Sequence, residues 1–399
     1  YESDNFITYY YLGGQEIGQF AAQVAEEELP SIENILDYKI NNRIEILVYN
    51  DVTDLNMSNI GVGLDYTNIG GTTKIIGNKV FVYYNGNHLD LKRQIREGIG
   101  KVLINNMIFG GSLQEVLQNA VLLNLPEWFV TGLISYIGER WSVAHDNRLK
   151  DGILSGKYKK FNKLTGEDAI LAGHSFWYFV EERNGKEAIP NLLYLTRINR
   201  SLENGFLFVL GYTYKEAIDR WYEFFQQRYD NESLGRLDWP DDKQVNIKFW
   251  DKRYYDNLRL HPDGNQIAFT TNDMGKWRVH LHNIETGKTK TLAKGGFKTK
   301  TLGIDYGYPL LDFDPSGRRL LVFYEKRDVI QMMTYDLEEQ KKQVRDLEKF
   351  QRIVDFSYTS NPTRIVLSAV NRGQSDIYTM DTRSTTVRPV TNDPFDDLQ

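Results

Sequence analysis

Two rhythms of apolar residues divide the chain near residue 235. Ahead of that point helical spacing dominates. Ile17, Phe20, Ala21, Val24 and Ala25 fall on one stripe with glutamates opposite, which predicts an amphipathic helix over residues 15–29, ended by Pro30. Ile44, Ile46 and Val48 alternate with Glu45, Leu47 and Tyr49, predicting a strand over 43–49. A second strand is expected over 79–84, after the Gly70–Gly71 turn. Residues 91–108 place Ile95, Ile99, Val102, Leu103 and Met107 on one helical face. A capping box, Ser112 with Glu115, starts the next helix, and Pro126 suits the first position of a third, with Phe129, Leu133, Tyr136 and Ile137 inward. Further helices are predicted over 167–184, 187–197 and 215–228.

After about residue 240 short alternating strands separated by turn residues take over, and they repeat. Leu260-His-Pro-Asp-Gly-Asn-Gln-Ile-Ala-Phe269 is echoed by Phe313-Asp-Pro-Ser-Gly-Arg-Arg-Leu-Leu-Val322, and more loosely by the segment from Phe356 to Leu367. Each copy reads as strand, tight turn and strand, followed by a third strand over 277–283, 329–336 or 376–381. Strands grouped at intervals of roughly 40 to 50 residues are the signature of β-propeller blades. About three blades are visible, and Thr391 to Leu398 reads as the start of another. A closed ring needs at least about four, so the visible chain is expected to stop inside its propeller.

Composition narrows the function classes. A net charge of −6 argues against a nucleic-acid-binding surface. The basic stretch from Lys288 to Lys300 reads better as a solvated strand edge. The absence of cysteine removes disulfides, thiolate metal sites and cysteine nucleophiles together. No apolar run approaches the roughly 18 to 20 residues of a membrane span. The chain opens at Tyr1, which leaves room for a removed signal peptide or a lipid anchor upstream.

Two helical segments carry the sharpest signal: Gln94-Ile-Arg-Glu-Gly-Ile-Gly-Lys-Val-Leu103 and Leu125-Pro-Glu-Trp-Phe-Val-Thr-Gly-Leu-Ile-Ser-Tyr-Ile137. Together they resemble the gluzincin metallopeptidases of the peptidase MA-like kind. There the first helix reads His-Glu-x-x-His and the second roughly Pro-x-Trp-Phe-x-Glu-Gly-x-Ala-Glu-Tyr. The resemblance extends over most of residues 1–235, including Ala172-Gly-His-Ser-Phe-Trp-Tyr-Phe179 and Leu210-Gly-Tyr-Thr-Tyr-Lys-Glu-Ala217. It implies an α+β gluzincin-like domain over 1–235. Residues 236–399 would form the N-terminal part of a TolB-like propeller, a fusion common among bacterial envelope members of that family.

That chemistry needs two imidazoles at i and i+4 on one helix face, a glutamate to activate water and a carboxylate from the following helix. By the resemblance the histidine positions hold Arg96 and Gly100, the third ligand is Thr131, and only Glu97, the would-be base, survives. A permanent cation, a residue without a donor and a hydroxyl cannot make a zinc site. The expectation is a pseudoenzyme with no metal and no cofactor, in which Glu97 is a surface carboxylate paired with Arg96 or Lys101.

No replacement site stands out. His280 and His282 share a strand face, read as solvated because Val279 and Leu281 take the other side. His174 beside Ser175 is expected to be a satisfied, half-buried histidine, since neighbours on a helix diverge. Gly61-Val-Gly63 lacks the context of a nucleotide fingerprint, and Asp312-Phe-Asp314 with Gly317 belongs to the blade repeat. Glu181–Glu182 and Asp396–Asp397 read as surface acids. Trp128, Phe129, Tyr136 and Trp141 lie near the former cleft, where helical spacing assigns them to the core.

The resemblance therefore implies a non-catalytic binding or scaffolding subunit of a bacterial cell-envelope assembly. It would be located in the periplasm or at the outer-membrane surface of a Gram-negative bacterium, with other envelope proteins as partners. A periplasmic peptide or glycan receptor is the alternative, and a hydrolase with relocated chemistry the third reading.

Overall fold

The computed structural model describes residues 1–57, 78–110, 123, 125–235, 245, 247–250, 253–299, 304–327, 329–393 and 396–397. The Ser112/Glu115 capping box, the Gly70–Gly71 turn and Gly61–Gly63 lie outside them.

Three parallel strands, β1 (Phe6–Tyr9), β2 (Ile44–Tyr49) and β3 (Lys79–Tyr83), form one sheet in that order. Alternation works as the pattern requires: Ile44, Ile46 and Val48 are buried. Helices α1 (Gln15–Leu36) and α3 (His88–Phe109) pack together beside this sheet, and α2 (Val52–Met57) follows β2. Helix α1 runs through Pro30 instead of ending there. Pro30 sits on the exposed side of the helix, where its ring meets no packed neighbour. Ile32 and Leu36 beyond it are fully buried and hold the last turns in place.

A helical layer continues with α4 (Glu127–Gly138), α5 (Val143–Leu154), a 3-10 segment (Lys157–Lys163), α6 (Glu167–Asn184), α7 (Ala188–Asn199), α8 (Leu202–Leu210) and α9 (Tyr214–Ser233). Pro126 proves to be the N-cap of α4, not its first helical residue. The Thr213–Glu216 capping box starts α9. The helix pair that fixes the layer is α4 with α6. A Cβ on Gly132 would stand 2.4 Å from the Gly173 backbone, and one on Gly173 would stand 2.1 Å from the Trp128 carbonyl oxygen. Only hydrogen at both positions lets the two backbones touch. Around this crossing Trp128, Phe129, Phe176, Trp177, Phe206 and Trp221 form a buried aromatic core.

The second half forms three consecutive four-stranded antiparallel meanders. They are β4 (Tyr254–Leu260), β5 (Gln266–Asp273), β6 (Lys276–Asn283) and β7 (Thr289–Gly295); β8 (Leu310–Phe313), β9 (Arg319–Lys326), β10 (Val329–Asp336) and β11 (Lys341–Leu347); and β12 (Arg352–Tyr358), β13 (Arg364–Asn371), β14 (Gln374–Asp381) and β15 (Val387–Pro389). The middle sheet is sandwiched by its own alternation. Leu320, Val322 and Met333 join the core shared with the first sheet, whereas Leu321, Phe323 and Met332 join the core shared with the third. These are propeller-like blades, and the described residues do not close a ring.

If the α4–α6 crossing is as tight as its geometry, Gly173→Val should lower unfolding free energy by about 1–3 kcal/mol or more, because neither backbone can yield. Urea denaturation monitored by tryptophan fluorescence measures this. An unchanged midpoint would refute a backbone-to-backbone contact.

Candidate functional site

A cleft of about 620 Å³ opens between α3, α4, α5 and α6, with Glu97, Thr131, Ser135, Glu139, His145 and Ile170 among its walls. Two positions that the resemblance assigns to metal chemistry, Glu97 and Thr131, line it. The other two, Arg96 and Gly100, are buried in the α3–α4 contact.

Arg96 is 9% exposed and acts as a structural tie. Its Nε–H donates to the carbonyls of Ile137 at 2.9 Å and Gly138 at 3.2 Å, the last turn of α4, where helix carbonyls have no partner of their own. Its Nη1 pairs with Glu28 of α1, which Lys92 also contacts at 2.5 Å. Burial works against the Glu28 carboxylate, but its bonds to Lys92 and Arg96 prevail and hold its pKa below the ordinary value. One guanidinium thus joins three helices.

Gly100 faces Ile137, whose Cγ2 would lie 2.9 Å from an added Cβ, so a side chain of histidine size has no room there without moving α4. Glu97 corrects the expectation from sequence. It is not an open surface acid, and Arg96 is not its partner, since that guanidinium is taken up by Glu28 and the α4 carbonyls. It is only part-exposed and accepts from Arg93 Nη1 at 2.7 Å, one helical turn back. Burial raises its pKa against the pull of Arg93. Thr131 donates its hydroxyl to the Glu127 carbonyl at 2.7 Å. A cation, a missing side chain and a committed hydroxyl do not suit a divalent metal. Among the described residues no three His, Asp or Glu side chains converge in a way that could hold one.

The structure also assembles a pair that sequence reasoning missed. His174 lies in the middle of α6 and is fully buried, not half-buried, and Ser175 points elsewhere, as neighbours on a helix should. Ser175 donates to the Ala172 carbonyl and accepts from Trp221 Nε1. His174 Nδ1 meets Ser135 Oγ of α4 at 2.9 Å, while its buried Nε2 has no hydrogen-bond partner among the described residues. The His145 ring stacks on it at 4.0 Å. Desolvation, with His145 beside it, depresses the His174 pKa to about 3. Such an imidazole is neutral at pH 7 and too weak a base to activate Ser135. The pair fixes α4 against α6. Its signal in the sequence was a lone histidine inside an otherwise apolar stripe of α6.

Other expectations shift as well. His280 and His282 do not share a solvated face: both are buried, His280 between the hydroxyls of Thr271 and Thr291 and His282 against Thr289. Asp396 is no surface acid, since it accepts from the His88 amide at 2.6 Å, His88 Nδ1 at 2.5 Å and the Tyr84 hydroxyl at 2.9 Å. Glu181 accepts from Tyr136 and Arg140. Asp314 is buried in its blade turn, accepting from the Arg319 amide at 3.0 Å. Of the basic stretch, Lys290 bonds to Tyr335 and Gln340 in the next blade and Lys298 pairs with Asp273. Trp128, Phe129 and Tyr136 are buried, and Trp141 packs against that core.

No family model matches the sequence, and no curated protein matches it. Solved structures match part of the fold. TolB from Acinetobacter baumannii is 20% identical with a TM-score of 0.28, covering 35% of this chain and 32% of that one. The β-propeller domain of the Trilobed protease from Pyrococcus furiosus is 12% identical, TM-score 0.27, covering 35% and 43%. A putative TolB from Agrobacterium tumefaciens is 12% identical, TM-score 0.28, covering 35% and 49%. The chain spans between a third and a half of the length of these neighbours. No helix among the described residues is long and apolar enough to cross a membrane.

Two outcomes test the site. Arg96→Met should destabilise the protein by about 2–4 kcal/mol, because Glu28 and the α4 carbonyls lose their buried partner. A change within about 0.5 kcal/mol in denaturant unfolding would show that the tie is dispensable. Because the folded pKa of His174 is depressed, the unfolded chain takes up a proton first as pH falls from about 6.5 towards about 3. This residue should therefore cost up to about 1.4 kcal/mol of stability per pH unit in that window. Urea midpoints across the window should fall less steeply in His174→Gln, and identical slopes would exclude a buried neutral His174.

Proposed function

We propose that this protein is a non-catalytic binding or scaffolding subunit, in which a degenerate metallopeptidase-like domain of the gluzincin type presents its cleft beside propeller-like blades. The observation that carries the reading is the fate of Arg96. The side chain at the first metal-ligand position is spent on closing α4 and pairing with Glu28, so the catalytic position has become part of the framework. The neighbouring space persists as a cleft of about 620 Å³. A cleft kept open without the chemistry it once served favours contact over turnover. Placement in the envelope of a Gram-negative bacterium, with other envelope proteins as partners, rests on the sequence resemblance.

The test is native purification of the tagged full-length protein, with partner stoichiometry by mass spectrometry and zinc content by elemental analysis. The expected result is one or more partners at near-equal amounts, well under one zinc per chain after dialysis against zinc, and no chelator-sensitive peptide hydrolysis. A lone monomer, or stoichiometric zinc with chelator-sensitive hydrolysis, would sink the proposal.

A further inference from the structure

Helix α6 reaches the cleft at Ile170 and Leu171, and its opposite end walls a second concavity. This pocket, about 380 Å³, lies between the last turns of α6, Tyr212 in the α8–α9 connection and the middle of α9. Two guanidiniums line it. Arg183 rests 4.9 Å from the ring centre of Phe224, and Arg220 rests 4.4 Å from that of Tyr212. Among the described residues neither is hydrogen-bonded or ion-paired to a carboxylate.

Stacking on a ring holds the guanidinium plane while leaving its N–H edge available, which is the geometry for gripping an oxyanion. Two such cations around one hollow repel each other until an anion sits between them. In a chain of net charge −6, unpaired neighbouring arginines are not a by-product of basic composition. Glu216, one turn before Arg220, is hydrogen-bonded in the Thr213 capping box, and Arg220 acts on it only as a weaker, longer-range charge that helps hold its pKa below the ordinary value.

The remaining lining sets the ligand charge. Tyr212, Asn184 and Gln227 are neutral, Glu223 contributes a negative charge, and the carbonyl end of α6 adds partial negative charge. Two guanidiniums against Glu223 leave one positive unit, which the carbonyl end of α6 reduces further, and this suits a singly charged group better than a dianionic phosphate. We propose that this pocket binds a carboxylate, clamped by Arg183 and Arg220, with Tyr212, Asn184 and Glu223 meeting the polar atoms beside it. Two planar oxygens match the guanidinium fork. Such a group has two sources, the C-terminus of a peptide and a sugar acid. The site is separate from the cleft and stands or falls independently of its role.

Calorimetric titration of the full chain tests this with four probes in pairs: Ala-Ala-Phe as free acid and as amide, and glucuronate and glucose. Inorganic phosphate is a fifth. A free acid should bind and its uncharged counterpart should not, and whichever acid binds identifies the source. Arg183→Gln with Arg220→Gln should weaken binding at least about tenfold, the loss of one charge-assisted pair. Arg183→Lys with Arg220→Lys, which keeps charge and stem but loses the fork, should also weaken it at an unchanged melting temperature. Failure of both acids to bind at millimolar concentration, tighter binding of phosphate than of either acid, or binding unaffected by either pair of substitutions would overturn the proposal.

Discussion

Burying a guanidinium is costly unless every face of it is engaged, and Arg96 shows what that demand imposes on the helical half. Its carbonyl partners must come from the end of α4, where peptide oxygens are in surplus, and its counter-charge must come from a separate helix. Helix α1 supplies Glu28, so α1, α3 and α4 are fixed in mutual register by one side chain. The crossing of α4 over α6 at Gly132 and Gly173 then follows as a second constraint, since any side chain there would push the helices apart. Cleft walls drawn from α3, α4, α5 and α6 inherit their spacing from these two contacts.

The fold was legible where periodicity is strong. The amphipathic stripes of α1 and α3 and the alternation of β2 face the interior as their patterns require, whereas α6 is buried on all sides from Leu171 to Trp177. The blade repeat located the three hairpins because its turn residues recur at fixed places between apolar runs. Helices α5 and α8 went unseen. Val143 opens α5 at the surface, and Leu207 and Phe208 of α8 are exposed, so neither offers a clean stripe. Pro30 misled because propensity is local, whereas Ile32 and Leu36 are held by tertiary burial.

The candidate site was legible in identity but not in role. The resemblance alone marked Arg96, Glu97, Gly100 and Thr131. It could not say that Arg96 is a tie, or that Glu97 turns to Arg93 one helical turn away. Contacts across 39 residues, such as Ser135 with His174, leave no trace in either local pattern. The two strand histidines were misjudged for a related reason. Alternation places His280 and His282 on a common face, but whether that face meets water depends on threonines and rings from neighbouring strands.

The junction of the two halves binds the site to the blades. Val370 of β13 belongs to the large core of the helical half, and Gly86, just before α3, lies against Val354 and Val370. Apolar contact of this kind adheres without fixing an angle. Orientation comes from Asp396, whose carboxylate gathers the His88 amide, the His88 ring and the Tyr84 hydroxyl at the first turn of α3. Burial opposes charge on that carboxylate, yet the His88 bonds keep its pKa below normal, so the charged form is the one the junction selects. The segment after β15 thus grips the helix that carries Arg96 and Glu97 at its N-terminal end, while Arg96 grips α1 and α4 further along. The cleft therefore sits on a frame that reaches from α1 and α4 to β13 and the segment that follows the third sheet.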